Sequence, residues 1–298
     1  MAVSYSLFFA AYSITMLVGV FVGVLLSIGW KDISWRKALL SAKYNAVYLI
    51  IIAALPLFIQ GQDLLEARFA RPGEATREVI YTHWIFSLSG GAVRILQDRL
   101  DYAILHDLFC IVYAWLFTYL IYFAPVLLVS ADDRVNLRKY AIAMMFNYLI
   151  LVPFYLLFPV SVSGSYPDSG ITPTLYTNTY WGKMVTSVDP LNNDFPSGHV
   201  SLAVTTLLIF AFARKNYRSV YYFLIFTTCA VVFAVLYLGV HWPADVVAGF
   251  LVAVFAVAAA NNERIQMTID RYVRAANNRL FKERTSSVQT SSPQAPPK

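Results

Sequence analysis

The run LFFAAYSITMLVGVFVGVLLSIGW, Leu7 to Trp30, holds no charged side chain over its 24 residues. A bilayer core about 30 Å thick needs roughly 20 apolar residues rising 1.5 Å each, so this run enters a membrane as a helix and decides the fold class. Outward from it the chain repeats the pattern at Tyr44 to Gln60, Leu108 to Ser130, Tyr140 to Val160, His199 to Ala213, Val220 to Val240 and Val246 to Ala260. The expectation is an all-α polytopic transmembrane bundle of about seven spans, three of them shorter than the ideal. Composition agrees: 58% of the 298 residues are hydrophobic and 13% charged, against about 25% charged in soluble domains. Met1 to Ser6 carries no basic side chain, so the first span is expected to be retained rather than removed as a signal peptide. Cys110 and Cys229 fall inside spans and behave as small apolar residues.

Seven spans divide the polar segments into two sets. One holds Lys31, Arg36, Lys37 and Lys43, then Arg134, Arg138 and Lys139, then Arg214, Lys215 and Arg218, and seven more basic residues after Ala260; together these are 17 of the 23 Lys and Arg. The other set holds Arg68, Arg71, Arg77, Arg94, Arg99 and Lys183. Basic loops stay cytoplasmic, so Gly61 to Asp107, Ser161 to Gly198 and the link around His241 are expected on the extracytoplasmic face of a cell membrane, with a cytoplasmic C-terminus. The net charge of +6 then reports topology and contact with anionic lipids of the inner leaflet, and gives no argument for nucleic acid. Residues 1–260 form the membrane domain, 261–284 a basic amphipathic helix with Ile265, Ile269, Tyr272, Val273 and Leu280 at helical spacing, and 285–298 a disordered tail.

The chemistry sits in the outer set. In NNDFPSGHVSLAV, Asn192 to Val204, Ser197, Gly198 and His199 stand where an apolar helix begins. A helix start offers unpaired N–H groups to an anion, Ser197 adds a hydroxyl, and Gly198 lets the backbone approach a ligand. Alone, this is a helix cap with a histidine beside it. Forty-two residues on, in LYLGVHWPADVVAGF, His241 and Asp245 lie four apart. That interval is about two spans, which returns His241 to the face of His199. Asp245 can accept a proton from one ring nitrogen of His241 and orient the other. Such a set suits covalent phosphoryl transfer: His241 as nucleophile, His199 as acid and then base, Asp245 as orienter, Ser197 and the amides around Gly198 as holders of the phosphoryl oxygens. The scheme needs no metal and no other cofactor.

PSGH and GVHWPADVVAG resemble the second and third signatures of the type 2 phosphatidic acid phosphatase (PAP2) superfamily, which includes lipid phosphatases and the phosphotransferases that make inositol phosphorylceramide. The resemblance covers chiefly residues 147–250, and it implies a six-helix core plus one span and the same roles for His241, His199, Asp245 and Ser197. The chain also departs from the phosphatase pattern. Ala234 and Val235 stand where Ser-Arg opens the third signature, and Leu64 stands where the first signature, completed here by Arg71-Pro72, has its lysine. These losses, with NYLILVPFYLLFPV (Asn147 to Val160), resemble the inositol phosphorylceramide synthase-like branch, whereas the glycine of PSGH and LGVHWPAD resemble the phosphatases. The implied substrate is a membrane lipid phosphate or phosphodiester, and the acceptor is water or an alcohol. A phosphate still needs cations or donors, and Lys183 and Arg94 are the expected substitutes. Other readings are a lipid carrier that binds without cleaving and an inactive scaffold. His83, His106 and Asp107 are read as interfacial polar groups, and Asn147 as a link between helices.

Overall fold

A computed structural model describes residues 4–55, 57, 74–89, 91–178, 180–187 and 191–286. Among these residues regular structure is helical, with one isolated parallel bridge between Val160 and Asn193. Helix α1 spans Tyr5–Ile28, capped by Ser4, whose Oγ accepts from the N–H of Leu7. Helices α2 (Trp35–Tyr44) and α3 (Ala46–Leu55) meet at a 75° bend. Helices α4 (Glu74–Ser89) and α5 (Ala92–Arg99) follow, then α6 (Ala103–Ile111), which runs through a π turn at Val112–Leu116 into α7 (Phe117–Ser130). Helix α8 (Arg134–Leu157) starts at Asp133, whose side chain accepts from the N–H of Asn136. Two short helices, α9 (Thr174–Thr177) and α10 (Trp181–Thr186), precede α11 (Gly198–Phe212), α12 (Arg218–Tyr237), α13 (Pro243–Asn261) and α14 (Glu263–Ser286).

All seven apolar runs carry helix, but they are not seven equal spans. Five helical stretches among the described residues are long and apolar enough to cross a bilayer: α1, α6 continued through α7, α8, α12 and α13. A sixth arises if the bent pair α2–α3 counts as one span. The expected second span, Tyr44 to Gln60, is therefore corrected: helix begins before it and turns sharply at Asn45, whose Nδ2 donates to the carbonyl of Ser41, and residues 58–60 lie outside the described part. The seventh, α11, has 15 residues, about 22 Å at 1.5 Å each. It can be short because it is central. Helices α8, α12 and α13 pack around it, and Val200 to Thr206, Ile209 and Phe210 are all buried. Asn147 on α8 ties to it directly, donating to Thr205 Oγ1 at 2.9 Å and accepting from Ser201 Oγ.

At the far C-terminal end, α14 turns Ile265, Ile269 and Val273 of its apolar stripe onto the bundle, while Tyr272 and Leu280 stay exposed. The helix reaches Ser286, two residues into the expected tail, and residues 287–298 lie outside the described part. Leu64, Arg68, Arg71 and Pro72 also lie outside it. Both cysteines are free thiols, Cys110 buried and Cys229 exposed.

Candidate active site

The extended segment after α8 builds the site by bracing two others. Val160 N–H donates to Asn192 O at 3.0 Å, Val162 N–H to Leu191 O at 2.9 Å, and Asp194 N–H returns to Val160 O at 3.1 Å. Immediately after Val162, Ser163 N–H donates to Val240 O at 3.1 Å and Gly164 N–H to Gly239 O at 2.8 Å. One short stretch thus holds the loop carrying Asp194 on one side and the link carrying His241 on the other. A third tie, Ser197 N–H to Asp245 O at 3.1 Å, fixes the start of α11 against the start of α13.

Two glycines make that approach possible. A Cβ on Gly249 of α13 would lie 2.5 Å from the carbonyl oxygen of Ser197, and one on Gly198 would lie 2.7 Å from the hydroxyl of Tyr155. The Tyr155 hydroxyl donates to Pro196 O at 3.1 Å. Gly198 is therefore needed for helix packing as well as for any ligand. Ser197 is the N-cap of α11, its buried Oγ accepting from Val200 N–H at 3.3 Å, which leaves its O–H proton available to donate.

These braces place His241 Nδ1 2.6 Å from Asp194 Oδ1 and 3.6 Å from Asp245 Oδ2. The expectation named Asp245 as the orienting carboxylate, but Asp194 stands closer. Asp245 spends Oδ2 on the N–H of Trp242 at 2.8 Å, a capping contact at the start of α13, and backs the pair from there. His241 is 3% exposed and Asp194 1%, and His241 Nε2 has no hydrogen-bond partner among the described residues. Burial pushes the His241 imidazole down, but the Asp194 carboxylate in contact with it, seconded by Asp245, outweighs this and holds it above its ordinary value. The His199 ring meets the His241 ring edge-on, centroids 5.8 Å apart. His199 is fixed by Tyr113, stacked at 4.3 Å from the π turn, and by Phe117 at 4.4 Å.

The sequence-predicted set thus divides. His241, His199, Asp245, Ser197 and Gly198 converge at one end of the bundle. Lys183 lies over the Tyr5 ring at 4.6 Å, and Arg94 pairs with Asp98 at 3.8 Å, so each has a partner outside the cluster. His106 contacts Asp101 at 3.4 Å, Asp107 accepts from Asn178 at 3.4 Å, and His83 meets the Tyr166 hydroxyl at 3.0 Å. Asp194 is the residue that sequence reasoning missed. Its signal was present: it is the charge nearest PSGH in a loop with few others.

Asp194, His241 and Asp245 offer three potential metal-ligand atoms within 4.8 Å of one another. Bonds of about 2.0–2.1 Å in tetrahedral geometry hold ligand atoms more than 3 Å apart, and the 2.6 Å contact between Nδ1 and Oδ1 is closer than that.

Fold and site together define a polytopic helical membrane protein with a buried histidine–carboxylate pair facing a second histidine. Residues 139–263 match the family model of the PAP2 superfamily, a superfamily whose members are phosphatases. The matched segment contains Asp194, Ser197, His199, His241 and Asp245, whereas Tyr113 and Phe117 come from outside it. No curated protein and no solved structure matches the chain.

Proposed function

We propose that the chain transfers the phosphoryl group of a membrane lipid phosphate through a phosphohistidine on His241. The observation that carries this reading is the position of the two carboxylates at the His241 ring: Nδ1 makes an ion-pair contact with Asp194 at 2.6 Å, while the buried Nε2 has neither a carboxylate nor a hydrogen-bond partner among the described residues. A buried nitrogen left open costs stability unless a ligand or a reaction uses it. In the first step the Nε2 lone pair attacks phosphorus, the bond from phosphorus to the lipid oxygen breaks, and His199 gives that oxygen its proton. In the second, His199 takes a proton from water or an alcohol whose oxygen attacks phosphorus, and the N–P bond breaks. Asp194 and Asp245 balance the positive ring of the intermediate. Ser197 Oγ–H and the N–H groups at the start of α11 meet the equatorial oxygens, in a region of low dielectric where such donors act strongly.

Water as acceptor gives a phosphatase, and a polyol headgroup gives a phosphotransferase. Purified protein incubated with a panel of lipid phosphates, with and without added alcohols, separates these by free phosphate against exchanged headgroup. Turnover of neither kind across the panel, with lipid binding retained, would favour a carrier instead.

A further inference from the structure

Between α6 and α7 the backbone leaves the α-helical ladder: the N–H of Phe117 reaches five residues back to the carbonyl of Val112, and Val112–Leu116 form a π turn. One residue added to a turn rotates the helix before it by about 100° against the helix after it, so the turn sets the direction of Tyr113 relative to Phe117. Both rings lie on His199, Tyr113 stacked with centroids 4.3 Å apart and Phe117 at 4.4 Å. Single π turns are rare and gather at functional sites, and something must hold this one.

Helix α1 holds it. The Tyr12 hydroxyl donates to the carbonyl of Ala114, inside the turn, at 3.1 Å, and Thr118 Oγ1 donates to the same oxygen at 2.7 Å. Trp115, the next residue of the turn, donates from Nε1 to Thr15 Oγ1 at 3.1 Å, and a Cβ on Gly19 would lie 3.0 Å from the Trp115 ring. Tyr12, Thr15 and Gly19 are three and four apart and so share one face of α1, with Met16 and Val20 buried beside them. Leu17, on the opposite face, is 73% exposed. Both α1 and the π turn lie outside residues 139–263, so the part of the chain that orients His199 is not the part that carries it.

We propose that α1 is a positioning element of the active site: Tyr12 and Thr15 hold the π turn, and through Tyr113 and Phe117 the turn fixes the His199 ring for proton transfer. Without the Tyr12 hydroxyl, Ala114 loses one of its two side-chain donors and the turn relaxes toward α-helix, which swings Tyr113 off the imidazole. The inference rests on the reading of His199 as acid and base, and the test separates the two. Purified full-length parent, Tyr12→Phe, Thr15→Val, Leu17→Ala and His199→Ala are compared in detergent. The first readout is kcat and KM on short-chain phosphatidic acid or phosphatidylglycerol, a monoester and a diester, whichever the parent turns over faster. The second is the Hε1 signal of His199 in the NMR spectrum of protein labelled at its four histidines, assigned by its loss in His199→Ala. Tyr12→Phe and Thr15→Val should each lower kcat about tenfold, within the loss that a small misplacement of reacting groups brings, with KM inside about twofold. In both, the His199 signal should move downfield as the stacked ring leaves, and Leu17→Ala should change neither readout. If His199→Ala is inactive while Tyr12→Phe and Thr15→Val keep the parent kcat, the positioning role is overturned and the reading of His199 stands. A lowered kcat with an unmoved His199 signal, or an equal loss in Leu17→Ala, overturns the role as well. Full turnover by His199→Ala, or no turnover of either lipid by the parent, removes the reading and the inference with it. Should Tyr12→Phe melt early, Thr15→Val, which keeps the side-chain volume, carries the test alone.

Discussion

At the scale of the residue, His241 is defined by what holds it. Two carboxylates face it, and the nearer one, Asp194, comes from a loop 47 positions earlier in the chain. His199, His241 and Asp245 were legible because histidines are scarce here and their intervals match one helical turn and two spans. Asp194 was not, because its contact exists only once residues 160–164 brace both loops, a pairing that leaves no periodic trace. The two carboxylates should separate by experiment. A nucleophilic imidazole must be neutral at Nε2, so kcat/KM rises with pH through the His241 ionisation, which the Asp194 charge holds high. Asp194→Asn should lower activity about a hundredfold and move that rise to lower pH. An unmoved pH profile in this variant would mean that another group sets it. The two expected cations face partners outside the cluster. With Lys183 over Tyr5 and Arg94 on Asp98, Lys183→Met, Arg94→Met and the double variant should keep kcat/KM within about twofold, less than half a kcal/mol. A ten- to hundredfold loss, the size of one charge-assisted contact, would place that cation on the phosphate.

At the scale of the element, long apolar runs told where helices lie, because a span must satisfy its own backbone in lipid. Two features escaped such reading. The 75° bend before α3 and the π turn at Val112–Leu116 are backbone departures inside apolar sequence, set by tertiary packing; the π turn brings Tyr113 onto His199. The stripe on α14 was legible as amphipathic, but sequence could not say that Ile265, Ile269 and Val273 meet protein rather than lipid. The close contact between α11 and α13 depends on Gly249. Gly249→Ala puts a methyl 2.5 Å from the Ser197 carbonyl, and overpacking of this kind costs roughly 1–3 kcal/mol. A lowered melting temperature together with lost activity is expected, and a variant that keeps both would show that the helices part without disturbing the site.

At the scale of the whole molecule, the chain has two chemically distinct ends: a nearly dry histidine–carboxylate cluster at one and, at the other, a cleft lined by Lys43, Arg134, Arg138, Arg274 and Asp270. From the bias of 17 basic residues in 23 we propose that the cleft faces inside and the cluster outside. In a background of Cys110→Ala and Cys229→Ala, Asp168→Cys, at an exposed position, should react with an impermeant thiol reagent on intact cells, and Lys215→Cys, also exposed, only after the membrane is opened. The reverse pattern would invert the molecule. The most direct measurement of all is the covalent intermediate: purified protein is mixed with a ³²P-labelled lipid phosphate, quenched within a turnover and digested. An acid-labile, base-stable phosphoryl adduct on the peptide that contains His241, absent from His241→Ala along with turnover, is the expected result. Full turnover by His241→Ala, or an adduct on any other residue, would contradict it.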